Sequence, residues 1–188
     1  MPDDFSPDGT TLLYATATTP YDIWMIPVAG PRTAGVPLLN SPSNENNAAV
    51  SPDGRWLAYQ SDESGRYEIY VRPFPKVSTG RWQISTAGGT RPRWSRNGRE
   101  LFYYVGAGLR GTLMAVSVES GSSFRAGAPK MLFQGSYPNP NLGPGLYDIS
   151  LDGQRFLMIK GDEDLASPRN LTVVQHWTEE LKRLVPTN

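Results

Sequence analysis

The sequence predicts an all-β fold, a β-propeller built of about four four-stranded antiparallel blades with a short C-terminal α-helix. Two observations predict it. One ten-residue pattern occurs four times, and the Asp or Asn before its Gly stands at positions 8, 53, 97 and 152, which are 45, 44 and 55 residues apart. Short apolar segments fill the spaces between the copies. A repeat in the low forties with about four strands in each unit is typical of propeller blades.

The repeated pattern has a physical reason at each position. In the first copy, Phe5 to Tyr14, an apolar residue and Ser precede Pro-Asp-Gly, and an apolar strand follows. Pro fixes φ at the first turn position, while Asp and Gly supply the side-chain hydrogen bond and the positive φ of a tight hairpin. The unbroken apolar run after the turn predicts a strand that is buried on both faces. The other copies are 50–59, 94–103 and 149–158.

Each unit is predicted to have one inner strand before the turn and three strands after it. A sandwich is the alternative fold, but it would not repeat one sequence in this way. The four units are predicted at about 3–40, 46–86, 91–134 and 146–174. The strands predicted after the first three turns are 12–16, 22–28, 36–39, 56–61, 67–72, 82–85, 100–105, 111–118 and 130–133.

Two segments depart from the repeat. Residues 134–145 are rich in Pro, Asn and Gly and lengthen the last interval. Such insertions lie on one face of a repeat protein and often bind ligands, and a plain surface loop is the alternative. Residues 175–188 are predicted to form a helix and tail where a fourth strand is due, because their apolar residues recur at helical spacing. We therefore expect an open array, either a fragment of a longer protein or a chain whose edges pair with another chain.

Composition excludes several functional classes. The 18 Lys and Arg balance the 18 Asp and Glu, which removes the electrostatic argument for nucleic acid or an anionic membrane as partner. The absence of Cys excludes disulfides and thiolate metal sites. No apolar run has the length of a transmembrane helix, and the acidic start of the chain is unlike a signal peptide, so membrane insertion is not expected.

Ser-Pro-Asp-Gly before an apolar strand, repeated about every 44 residues, resembles the TolB-like propeller repeats, which are relatives of the WD-repeat propellers. The third copy departs from the family pattern with Arg96 in place of Pro, and the fourth with Leu151. The resemblance covers nearly the whole chain and implies part of a larger bacterial protein in an extracytoplasmic or periplasmic location. Residues 173–184 also resemble the end of propeller modules attached to bacterial serine/threonine kinases. Because family propellers usually have more blades, the resemblance implies a dimer or higher assembly.

Catalytic motifs are mostly missing. Gly106 to Gly111 spells G-x-G-x-x-G, but a strand pattern follows instead of a helix, so we interpret it as a hairpin connection without a nucleotide. The only histidine, His176, is predicted to enter the C-terminal helix and not to act as a catalyst. Asp162 to Asp164 lacks the ordered series of a Ca²⁺ loop. The sequence therefore predicts no catalytic residue, no metal site and no cofactor.

The predicted ligand-binding residues come from a basic cluster and from the insertion. Arg91 and Arg93 fall on one face of a predicted strand, beside Arg96 and Arg99, and guanidinium groups there would grip an acidic peptide or phosphate. Solvated blade charges are the alternative. The full predicted set is Arg91, Arg93, Tyr137, Asn139 and Asn141.

These residues predict a non-catalytic propeller module, a sensor or scaffold that binds a ligand, peptide or protein and self-associates as a dimer. The alternative is a hydrolase of the esterase or peptidase type, or the accessory propeller domain of one. Similar propellers cover the active sites of peptidases, and some carry hydrolytic sites in their central channel.

Overall fold

The structure is a computed structural model that describes residues 2–30, 34–107, 110–121, 123–137, 147–153 and 155–159. These residues form β-strands and a single 3-10 turn at Val77–Thr79. Within these ranges, no helix combines the length and the apolar character needed to span a bilayer. The helix predicted at 175–188, as well as Asn139 and Asn141, lies outside the described residues.

The first two units are four-stranded antiparallel sheets in which strand order follows chain order. Their strands lie within a few residues of the predicted ranges, so the predicted all-β propeller architecture is confirmed for these blades. The first sheet contains β1 (Pro2–Phe5), β2 (Thr11–Ala15), β3 (Ile23–Pro27) and β4 (Val36–Leu39). The second contains β5 (Glu45–Val50), β6 (Trp56–Ser61), β7 (Glu68–Pro73) and β8 (Trp82–Gln83).

The third sheet differs from the prediction because it has four strands after its turn instead of three. Its third strand is eleven residues long; one half pairs with β13 and the other half extends past the blade to pair with β12. The chain reverses direction around Gly121 and enters β12, and the sequence analysis did not predict this turn. The strands are β9 (Thr90–Trp94), β10 (Glu100–Ala107), β11 (Arg110–Ser120), β12 (Phe124–Ala126) and β13 (Lys130–Gly135). The described part of the fourth unit contains β14 (Tyr147–Ile149) and β15 (Phe156–Met158).

The four repeated turns have the same geometry. In each, the Gly N–H donates to the Ser carbonyl over 2.8 or 2.9 Å, and φ of the Gly lies between 68° and 71°. The Ser hydroxyl donates to the Asp or Asn side chain in all four copies. The Pro also has a tertiary role: a Cβ at Gly54 would lie 4.0 Å from Pro7 Cδ, and one at Gly98 would lie 3.7 Å from Pro52 Cδ. Each Pro therefore packs against the turn of the next blade.

Neighbouring blades are joined by apolar clusters and by hydrogen bonds between their first strands. The largest cluster lies between the second and third blades and is rich in aromatic rings. At the axis of the array, Trp94 Nε1 donates to the Ala49 carbonyl at 3.0 Å, and the buried Tyr147 hydroxyl donates to the Arg91 carbonyl at 2.6 Å. These junctions place β1, β5, β9 and β14 side by side, and they form the candidate site.

Candidate functional site

The first strands of the four blades line one cavity of about 660 Å³, here called the axial pocket. The same repeat position, two residues before the Ser of each turn, supplies Asp4, Ala49, Arg93 and Asp148. The next position supplies the apolar wall, which consists of Phe5, Val50, Trp94 and Ile149. Residues of the turns, among them Arg96 and Leu151, complete the lining. The repeat thus builds the pocket, and variation at one position gives it both signs of charge.

Two carboxylates on β1 hold the first blade against the second at the pocket. Asp3 accepts a hydrogen bond from the Ala48 N–H at 3.2 Å, and Asp4 accepts one from the Val50 N–H at 2.9 Å. Burial raises the pKa of Asp3 to about 6 and also raises the pKa of Asp4, while the nearby Arg93 charge opposes both shifts. Sequence reasoning missed these residues, although the repeat position of Asp4 could have revealed them.

The raised pKa of Asp3 predicts a pH-dependent stability. Because the folded-state pKa of Asp3, about 6, exceeds the value of 3.8 that the carboxyl has in the unfolded chain, proton binding favours the folded state. This stabilisation is complete below about pH 4 and is lost as the pH rises through about 6. We expect Asp3→Asn, which keeps an oxygen for the Ala48 N–H, to raise the free energy of unfolding by about 1–3 kcal/mol at neutral pH and by less at about pH 5.

Urea unfolding of both proteins at the two pH values measures this difference. Glu119→Gln removes an exposed carboxylate elsewhere and serves as the control. An equal effect of Asp3→Asn at both pH values would contradict the predicted role of its proton.

Arg93 is the basic group best placed for a ligand. Its side chain is half-buried, and Nη1 donates to the Pro92 carbonyl at 3.2 Å. Within the described ranges, no carboxylate forms an ion pair with it. The remaining N–H groups of this guanidinium can therefore serve a carboxylate or phosphate in the pocket. Arg96 is exposed at the same pocket.

Arg91 has a different environment from the one its sequence suggested. Its φ of 53° marks an irregularity in β9, as does the φ of 53° at Asn47, its counterpart in β5. The Arg91 N–H donates to Gln60 Oε1 at 2.9 Å, and its carbonyl accepts from Tyr147. Burial and the charge of Arg93 lower the pKa of Arg91. Its main chain therefore serves the junctions between blades.

Tyr137 lies at the outer part of the third sheet, just beyond the end of β13. Its ring packs against Phe133 with centroids 5.9 Å apart, and its carbonyl accepts a hydrogen bond from the Tyr104 hydroxyl at 2.9 Å. Arg93 instead lines the axial pocket, so these two residues of the predicted set occupy different parts of the third blade. Asn139 and Asn141 lie outside the described residues.

A second cavity, of about 750 Å³, lies between the turns of the second and third blades and the β11–β12 hairpin. This hairpin cleft contains Arg99, Arg125 and Glu119. The basic cluster of the sequence is therefore divided between two cavities, because Arg93 and Arg96 line the axial pocket while Arg99 lines the cleft. In the described part of the chain, no three His, Cys, Asp or Glu side chains are grouped so that they could hold a metal ion.

Comparison with solved structures identifies the architecture. TolB from Acinetobacter baumannii superposes with a TM-score of 0.65 at 16% identity, over 85% of this chain and 37% of that one. A protein from Agrobacterium tumefaciens with the designation TolB gives 0.59 at 20% identity, over 72% of this chain and 49% of that one. The chain has the fold of a TolB-like β-propeller. This propeller also resembles a puromycin-hydrolyzing peptidase from Mycobacterium tuberculosis, with a TM-score of 0.50 at 15% identity, over 67% of this chain and 22% of that one.

The propeller described here spans less than half the length of each of these structures. No protein-family model matches the sequence, and no curated protein matches it either.

Proposed function

We propose that this propeller is a non-catalytic binding module and that its axial pocket receives a segment of a peptide or protein partner. The observation that carries the proposal is the convergence of one repeat position from four blades on a single pocket. Three of those four positions hold charged residues, whereas within the turn only Ser and Gly are the same in all four repeats. Asp4 is used at the junction with the second blade. Among the described residues, Arg93 and Asp148 form no hydrogen bond between blades. Charged side chains that the fold does not require indicate a role in binding.

The chemistry of the pocket favours a segment that carries both signs of charge. Arg93 offers N–H donors to a carboxylate. Asp148 is exposed, and among the described residues its Oδ1 accepts a hydrogen bond only from the N–H of Ile149, at 2.8 Å. Phe5 and Leu151 are 53% and 71% exposed at the pocket and offer apolar contact. Ala49, the small member of the repeat position, leaves space between the charged groups.

Binding can be tested with fluorescently labelled hexapeptides that are acidic, basic, mixed in charge or uncharged. We expect mixed-charge peptides to bind most tightly. Arg93→Met should weaken that binding by about tenfold or more, because it removes a charge-assisted hydrogen bond worth about 1.5–3 kcal/mol. Fluorescence anisotropy measures the affinity.

Arg110→Met is the matched control. Arg110 is an exposed arginine outside the pocket, at the end of β11 that lies far from the repeated turn of the third blade. Equal losses in the two variants would show only a nonspecific effect of charge. Unchanged binding by Arg93→Met would contradict the proposed site.

A hydrolase is the second candidate function. Its support is the carboxyl of Asp3, whose pKa of about 6 suits proton transfer near neutral pH, together with the likeness to the peptidase structure. A general base at Asp3 predicts ester hydrolysis that rises as the pH passes about 6 and is lost in Asp3→Asn. If the protein hydrolyses p-nitrophenyl esters with this pH profile, the propeller is a hydrolase and the purely binding function is wrong.

Self-association is also part of the proposal. Phe5 of the first blade is 53% exposed. Val50 and Trp94 occupy the same repeat position in the second and third blades, and each packs into the junction with the blade before it. Val36 on the outer strand of the first blade is 49% exposed. These apolar groups support a dimer through the first blade, and light scattering of the wild type and Phe5→Ser tests it.

A further inference from the structure

Two acidic residues meet where the first blade passes into the second. Asp22 lies just before β3, and Glu45 is the first residue of β5. The backbone brings them together, because the Glu45 N–H donates to the Tyr21 carbonyl at 2.6 Å and the Tyr21 N–H donates to Asn44 Oδ1 at 3.1 Å. The two carboxyl groups also lie within each other's electrostatic field, because the charge of Asp22 helps to raise the pKa of Glu45, although 23 positions separate the two residues in the sequence.

Each carboxylate has a buried oxygen without a hydrogen-bond partner among the described residues. Glu45 is only 3% exposed, and its Oε1 accepts from the Ser41 hydroxyl at 2.8 Å, but its Oε2 has no donor. Oδ1 of Asp22 is also buried and also has no hydrogen-bond donor among the described residues. Two buried carboxyl oxygens without donors are costly, and a native structure needs a reason for them.

The surroundings hold this pair in place. Asp62 accepts from the Asn44 N–H at 2.8 Å and from Asn44 Nδ2 at 2.6 Å, which fixes the segment before Glu45. The Asp22 N–H donates to the Thr16 hydroxyl at 2.9 Å. Arg72 and Glu63 are the other charged groups whose fields reach Glu45, and they act with opposite signs. The pair is thus preorganised, and no cation of the described residues forms an ion pair with it.

We propose that Asp22 Oδ1 and Glu45 Oε2 bind a calcium ion that links the first blade to the second. The available donors are all oxygens, which suit a hard cation, and Ca²⁺ accepts irregular oxygen coordination completed by carbonyl groups and water. Mg²⁺ is less suitable because it demands nearly ideal octahedral geometry. Because only two carboxylates contribute, we expect a weak site, with a Kd of about 10⁻⁴–10⁻³ M. This site does not involve the axial pocket.

The test is a CaCl₂ titration of protein freed of metals, followed by calorimetry and by thermal unfolding. Saturating Ca²⁺, at about ten times the Kd, is expected to raise Tm by a few degrees. Glu45→Gln and Asp22→Asn should each weaken Ca²⁺ binding at least tenfold. Glu119→Gln, which removes an exposed carboxylate in the hairpin cleft, should leave binding unchanged.

Several outcomes would overturn the proposal. They are no heat and no change in Tm with Ca²⁺, tighter binding of Mg²⁺ than of Ca²⁺, and unchanged Ca²⁺ binding in folded Glu45→Gln. Stabilisation by mild acid without any response to Ca²⁺ would also overturn it, because the two oxygens would then share a proton. If Glu45→Gln does not fold, Asp22→Asn and the wild-type titration still decide the question.

Discussion

Replacing Phe124 by Ala is expected to lower the free energy of unfolding by about 3–5 kcal/mol, the usual cost of emptying a buried aromatic site. Phe124 belongs to the short strand β12 and is 3% exposed. Its ring centroid lies 5.1 Å from that of Trp56, 5.3 Å from that of Trp82 and 6.4 Å from that of Trp94. The side chain thus packs the β11–β12 hairpin against the junction between the second and third blades and stabilises its position there.

Loss of this ring should also release the hairpin from its cleft. Tryptophan fluorescence should shift to longer wavelength in Phe124→Ala, because three indoles lose an apolar neighbour, and urea unfolding measures the stability. Leu132→Ala is the control, since Leu132 is 43% exposed on β13 and should change stability by less than about 1 kcal/mol. A loss of under about 1 kcal/mol in Phe124→Ala would show that the hairpin is not fastened by this ring.

Gly111→Ala is expected to destabilise the third blade by about 1–3 kcal/mol or more, because the added methyl group has no space. A Cβ at Gly111 would lie 1.7 Å from the Tyr104 hydroxyl oxygen and 2.0 Å from Cζ of the same ring. Tyr104 is 1% exposed, and its hydroxyl donates to the Tyr137 carbonyl, so the ring cannot move aside freely. Gly111 pairs with Gly106 on one side and with Gly135 on the other, and the three glycines leave room for aromatic rings.

Thermal unfolding of Gly111→Ala measures this effect. Gly121→Ala is the matched control, because a Cβ at Gly121 meets nothing within 4 Å. Equal stability of Gly111→Ala and the wild type would mean that the Tyr104 ring has another position available. The G-x-G-x-x-G segment therefore has a structural role. Its residues Gly106 and Gly111 pair directly in the antiparallel strands β10 and β11, so the prediction that a strand follows this segment is confirmed.

The residues of the axial pocket were only partly accessible to sequence reasoning. Arg93 was predicted from a local cluster of basic residues, and it does line the axial pocket. Asp4 and Asp148 were missed because they stand far from Arg93 in the sequence, and only the packing of the four blades brings these three residues to one pocket. Arg91 and Arg93 are two residues apart, but the positive φ of Arg91 gives its main chain a role that no pattern of charges indicates.

Local sequence was enough to predict the four turns and the strands of the first two blades. Pro, Asp or Asn, and Gly act through φ and through hydrogen bonds within a few residues, so each turn forms wherever these residues stand together. Tertiary structure alone decided the β12 strand, the packing of Pro52 against the next turn, and the pairing of Asp22 with Glu45. These features depend on contacts between residues far apart in the chain, whose geometry is fixed only when neighbouring blades pack.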